Sequence, residues 1–101
     1  MSTIRKFVLT PDNAQPYSDH AVFTVKMPRG ASVLHVHEQA GEICLWAMCE
    51  PEAKPVARRF VVFPTGGSVL FPIGDAAGEV EYLGTAHAGA LVWHVFEVLG
   101  G

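Results

Sequence analysis

Tyr82-Leu83-Gly84-Thr85-Ala86-His87-Ala88-Gly89-Ala90-Leu91-Val92-Trp93-His94-Val95-Phe96-Glu97 decides the fold of this chain. It reads as two β-type runs meeting at a turn that contains Gly89. The second run is apolar on both sides: Leu91, Trp93 and Val95 oppose Val92, His94 and Phe96. A strand buried on both faces belongs at the centre of a layered structure. With no helical stretch to cover the second face, another sheet or another subunit must do so.

Outward from this block the same pattern recurs. Alternation and short apolar runs predict strands near 4–9, 21–27, 32–38, 43–49, 57–64, 79–86 and 90–98, and no helix-period stripe of useful length occurs. Pro28-Arg29-Gly30 and Gln39-Ala40-Gly41 read as tight turns, Pro11 to Ser18 as an irregular connection, and Glu50 to Pro55 as a surface loop. Ser68 to Ile73 stays ambiguous between Thr65-Gly66-Gly67 and Gly74 to Gly78. In 32–38, Leu34 and Val36 are expected on one face, and Val33, His35 and His37 on the other. In 43–49, Ile43, Leu45, Ala47 and Cys49 oppose Cys44, Trp46 and Met48. The expectation is one all-β domain over residues 1–101, either a small antiparallel barrel of SH3-like or Sm-like type or a compact β-sandwich, with six to seven short strands.

Several motifs resemble short, uncharacterised proteins of bacteriophages and prophage-bearing bacteria. These are the block ending Gly89-Ala90-Leu91-Val92-Trp93-His94-Val95-Phe96-Glu97, Met27-Pro28-Arg29-Gly30-Ala31, Leu34-His35-Val36, Cys44-Leu45-Trp46-Ala47 and Arg58-Arg59-Phe60. The resemblance spans most of residues 4 to 97 and carries no established activity with it. The leading expectation is a non-enzymatic β module of phage type that self-associates and binds a protein partner whose identity the sequence does not give.

Composition narrows the partners. The chain has 101 residues, 50% of them hydrophobic and only 17% charged, which excludes disorder as its main state. A small domain has much surface for its volume, so this apolar excess points to a second copy covering what one copy leaves open. Leu45, Trp46, Leu91, Trp93, His94 and Phe96 are the expected core and interface residues. Seven basic residues against ten acidic ones give a net charge of −3, which argues against a nucleic-acid surface, since that normally needs a basic face. No apolar run reaches the roughly 20 residues that span a bilayer. Met1-Ser2-Thr3-Ile4-Arg5-Lys6 is not followed by a signal-peptide core, so a cytoplasmic location is expected. Cys44 and Cys49 lie on opposite faces of one strand roughly 17 Å apart, too far for a disulfide. They read as small buried hydrophobes.

His35-Val36-His37 places two imidazoles on one strand face roughly 6–7 Å apart, a spacing that suits a shared metal. Gly30, His35, His37 and Glu42 resemble the first metal motif of cupins, and Gly66, Pro72 and Gly74 the second. However, Ala77 stands where the closing histidine belongs, and Cys49 where the first motif ends in glycine. The reading from these residues is therefore no metal and no cofactor, with a small cupin-like enzyme or sensor using His35, His37 and Glu42 as the alternative. A second alternative is an Sm-like ring binding single-stranded nucleic acid through aromatics and arginines. His94 has no sequence neighbour that would make it an acid–base group. His20 beside Asp19 reads as solvated, and Glu79 with Glu81 as the wet face of an edge strand.

Overall fold

The computed structural model describes residues 1–67 and 79–99. Its elements in chain order are β1 (Thr3–Leu9), β2 (Ala14–Pro16), β3 (Ala21–Pro28), β4 (Ser32–Gln39), β5 (Glu42–Cys49), β6 (Pro55–Pro64), β7 (Glu79–Ala88) and β8 (Leu91–Leu99). A single 3₁₀ turn, Pro11–Asn13, separates β1 from β2. All pairings are antiparallel, in a three-stranded sheet ordered β1-β5-β4 and a five-stranded sheet ordered β2-β3-β6-β8-β7. The sheets do not close into a barrel, so of the two expected architectures the sandwich is the one formed. Among the described residues the strand count is eight, because Ala14–Pro16 within the expected irregular connection pairs with β3. Ser68 to Ile73, Gly74 to Gly78 and the second cupin-like motif beyond Gly66 lie outside the described residues.

The main core fills the space between the sheets. Phe7, Leu9, Val36, Ile43, Leu45, Ala47 and Cys49 come from the small sheet, and Val25, Met27, Phe60, Val62, Ala86 and Val95 from the large one. Leu45, Met27, Phe60 and Val95 have no exposed surface, and burying a side chain of this size stabilises by about 1.5–3 kcal/mol. The large sheet also has an apolar outer face. There Val61, Phe63 and Val98 are buried, with Val22, Val80 and Phe96 against them. On the second face of β8, Val98 is buried and Val92, His94 and Phe96 are partly buried within the chain itself.

Two bulges displace the expected alternation. In β4, Val33 pairs with Ala47 and His35 with the adjacent Trp46, leaving Leu34 as the extra residue. A bulge sets two residues against one and inverts the parity beyond it. Val33 consequently packs on the core with Val36, while Leu34, expected on the same face as Val36, is 49% exposed. In β7, Tyr82 pairs with Phe96 and Gly84 with the adjacent Val95, so Leu83 is extra. The β4–β5 hairpin turns through Ala40 (φ 54°) and Gly41 (φ 83°), the left-handed pair that a two-residue loop requires. Glu38 Oε2 secures it by accepting the Gly41 N–H at 2.5 Å.

The sheets approach each other closely at the seam where β7 crosses β4. A Cβ on Gly84 would lie 3.0 Å from Val36 Cβ. Gly84→Ala is therefore expected to lose about 1–3 kcal/mol through overpacking. Combining it with Val36→Ala should cost less than the two single losses added, in a double-mutant cycle by urea unfolding; additive losses would place the strain elsewhere.

A charged pair is sunk beside this seam. Arg58 Nε and Nη2 donate to Glu97 Oε2 and Oε1 at 2.6 and 2.8 Å, and Nη1 donates to the Ala31 carbonyl at 2.5 Å. The bond to Glu97 holds the Arg58 pKa above its usual value, against the opposing effect of burial. Glu97→Leu alone leaves a buried guanidinium uncompensated and is expected to cost about 3–5 kcal/mol, whereas Arg58→Met/Glu97→Leu together should cost much less. Equal losses in thermal unfolding of the single and double variants would show that the pair itself, not its separation, matters.

Candidate functional site

The outer face of the small sheet carries the histidines singled out in the sequence. Strand register aligns three rows across it: Ile4, Met48 and Ser32; Lys6, Trp46 and His35; Val8, Cys44 and His37. His35 and His37 stand with rings stacked at 5.8 Å between centroids and 20° between planes, and His35 tilts against Trp46 at 6.2 Å. With Glu38, Gln39 and Trp46 they line a shallow cleft of 290 Å³. Glu42 does not join them. Among the described residues no group of three or more His, Cys, Asp or Glu side chains is arranged to hold a metal ion, so the cupin-like triad is not brought together.

Cys44 shares this face yet is 1% exposed. Lys6 Nζ donates to Gln39 Oε1 at 2.7 Å. Burial pushes the Cys44 thiol pKa up, while the Lys6 ammonium pulls it down and the Glu42 and Glu38 carboxylates push it up again. The thiol form therefore prevails at neutral pH, and Cys44 is a poor nucleophile. Cys49 lies in the main core on the opposite face. Both cysteines are free and buried, in line with their reading as small hydrophobes.

The other expected interface residues scatter. Leu45 is core, and Trp93 packs against that core while its indole N–H donates to the Ala88 carbonyl at 3.2 Å. Phe96 belongs to the second cluster, edge-on to Phe63 and Tyr82. Leu91 is 49% exposed at the start of β8. Of the six, Trp46 alone lies on the outer face of the small sheet.

His94 has partners that sequence proximity did not reveal. Thr65 Oγ1 is 2.6 Å from its Nε2 and Thr85 Oγ1 is 3.0 Å from its Nδ1, with the Tyr82 hydroxyl bonded to Thr85 in turn. Thr85 stands directly opposite His94 in the hairpin, so the register would have exposed that contact. Thr65 comes from the end of β6, and nothing local in the sequence signals it. Hydroxyls at both ring nitrogens fix the imidazole but supply no carboxylate to drive it as a base. His20 also departs from expectation. Its Nδ1 is 2.6 Å from Asp19 Oδ1, and its ring stacks on Tyr17 at 4.6 Å and leans on Phe63 at 5.3 Å, which makes it a packed residue and not a solvated one.

Glu79 and Glu81 are exposed on edge strand β7. The wet face they share is the inner face of the large sheet, where Glu81 pairs across with Glu97.

No helix among the described residues is long and apolar enough to cross a membrane. Compared with curated proteins and with solved structures, the chain shows no significant match. The profile of one family does match, over residues 1–100, and the chain belongs to that family, a domain of unknown function designated DUF7352.

Proposed function

We propose that this domain is a non-enzymatic, self-associating β module of phage type, acting in the cytoplasm, and that a second copy covers the outer face of its small sheet. One observation carries the reading: that face leaves Ile4 60% and Met48 42% exposed in a single cross-strand row, beside a partly exposed Trp46 in the next. Leu34 adds a further exposed apolar side chain at the β4 bulge. A contiguous apolar surface of this kind is what soluble monomers avoid. The large sheet needs no such cover at Val61, Phe63 and Val98, which are buried already.

Pairing through the face fits better than pairing through the edge. Strand β1 is an open edge of the small sheet, but Arg5 and Lys6 sit in its middle, the kind of charges that blunt an edge against a second strand. On the face itself the Lys6 ammonium reaches across to Gln39 beside the β4–β5 hairpin, which leaves the row of Ile4, Met48 and Ser32 without a charged side chain for a two-fold partner to meet. The phage-type origin is supported by the resemblance of the Gly89–Glu97 block.

Sedimentation equilibrium at micromolar concentration tests the reading. The expected species is a dimer of the 10.9 kDa chain, converted to monomer by Ile4→Lys/Met48→Glu with an unchanged far-ultraviolet circular dichroism spectrum. A wild-type monomer at these concentrations would rule it out.

A further inference from the structure

A second site lies where the seam between the sheets opens. Ala31, Ser32, Val33, Arg58, Glu81, Tyr82, Leu83 and Glu97 line a cleft of 340 Å³ between the start of β4 and strands β7 and β8. At its floor is the Arg58–Glu97 pair, with side chains only 19% and 7% exposed. Every donor-bearing nitrogen of Arg58 is engaged, two on Glu97 and one on the Ala31 carbonyl. Directly across from Glu97 on the neighbouring strand stands Glu81, close enough that its charge raises the Arg58 pKa.

Like charges placed opposite each other in a sheet are destabilising, and Arg58 offsets one carboxylate only. The cleft thus carries an excess negative charge that no hydrogen bond or ion pair with a described residue neutralises at Glu81. The excess is built in by the chain's own geometry. The β7 bulge at Leu83 turns Tyr82 outward onto Phe96 and Glu81 inward onto the cleft, and re-aiming a side chain is a recurrent use of bulges beside functional sites. Val33 and Leu83, partly buried against the core, add apolar surface along the walls.

We propose that this cleft binds a small organic cation, a guanidinium or primary ammonium head on a short apolar stem, with Glu81 as the principal counter-charge. The head sits between the Glu81 and Glu97 carboxylates, and the stem lies against Val33 and Leu83. A polar cleft with convergent carboxylates and a small apolar strip at Val33 and Leu83 suits such a ligand. The proposal does not rest on self-association: Glu81 and Glu97 belong to the large sheet, and the cleft shares only Ser32 with the outer face of the small sheet.

The test is thermal unfolding of the full chain at constant ionic strength with butylguanidinium, with its neutral isostere butylurea, and with inorganic phosphate. Butylguanidinium is expected to raise Tm saturably, by about 5–10 °C at ten times its dissociation constant. Butylurea should give no shift. Glu81→Gln should abolish the butylguanidinium shift while melting, without ligand, no lower than wild type, because it relieves the like-charge pair. Glu79→Gln, on the same strand but not lining the cleft, should keep the shift. Three results each overturn the proposal: no saturable rise with butylguanidinium, an undiminished rise in Glu81→Gln, or a rise with phosphate in its place, which would make Arg58 the receptor of an anion.

Discussion

The approach of β7 to β4 at Gly84 and Val36 governs how the two sheets meet. Only a residue without a side chain lets β7 come this close, since a Cβ there would sit 3.0 Å from that of Val36. The contact brings an edge strand of each sheet together and closes one long side of the sandwich. Leu45, Phe60, Val62 and Val95 fill the interior behind it. Where the seam ends, toward Ser32 and Glu81, the walls part and the interior changes from apolar to charged.

The chain solves its apolar excess unevenly. The large sheet turns its inner face to the main core, and on its outer face it buries Val61, Phe63 and Val98 while Tyr82 stays 54% exposed. The small sheet is covered on one face. Its other face places Ile4, Met48 and Trp46 among His35, His37 and Lys6, a mixed apolar and polar surface. Cys44 is buried on this otherwise open face, in the row between Val8 and His37.

Much of the fold was legible because period-two alternation and turn chemistry are local. The hairpin through Gly89, the left-handed turn at Ala40-Gly41, the opposed faces of β5 and the burial of both cysteines follow from neighbouring residues alone. The positions of β1 and β3 to β8 follow as well, to within two residues at their starts and ends. The short β2 was missed because three residues containing a proline present no alternation, and only pairing with β3 defines them. Leu34 was misplaced because a bulge has no signature in the pattern of hydrophobicity; it is visible only against the partner strand. The same holds for the candidate sites. His35 and His37 were found from their i, i+2 spacing. The His94–Thr65 contact and the meeting of Arg58, Glu81 and Glu97 join residues far apart in sequence, and only strand order brings them together.

The β7 bulge shows how one backbone irregularity shapes the energetics of a whole region. Counting back from Ala86 and Gly84, which face the core, an unbroken strand would point Tyr82 inward and Glu81 outward. The extra residue, Leu83, reverses both. Tyr82 then reaches the aromatic cluster through Phe96 and joins His94 through Thr85. Glu81 is carried to the inner face, opposite a buried carboxylate. A bulge that only relieved strain would have no reason to leave a charge there, since like charges in register oppose folding and a buried pair such as Arg58–Glu97 contributes little net stability of its own. The arrangement holds because the apolar packing on either side of the seam outweighs it, and the cost is confined to the open end, where solvent or a cation can meet the unpaired carboxylate.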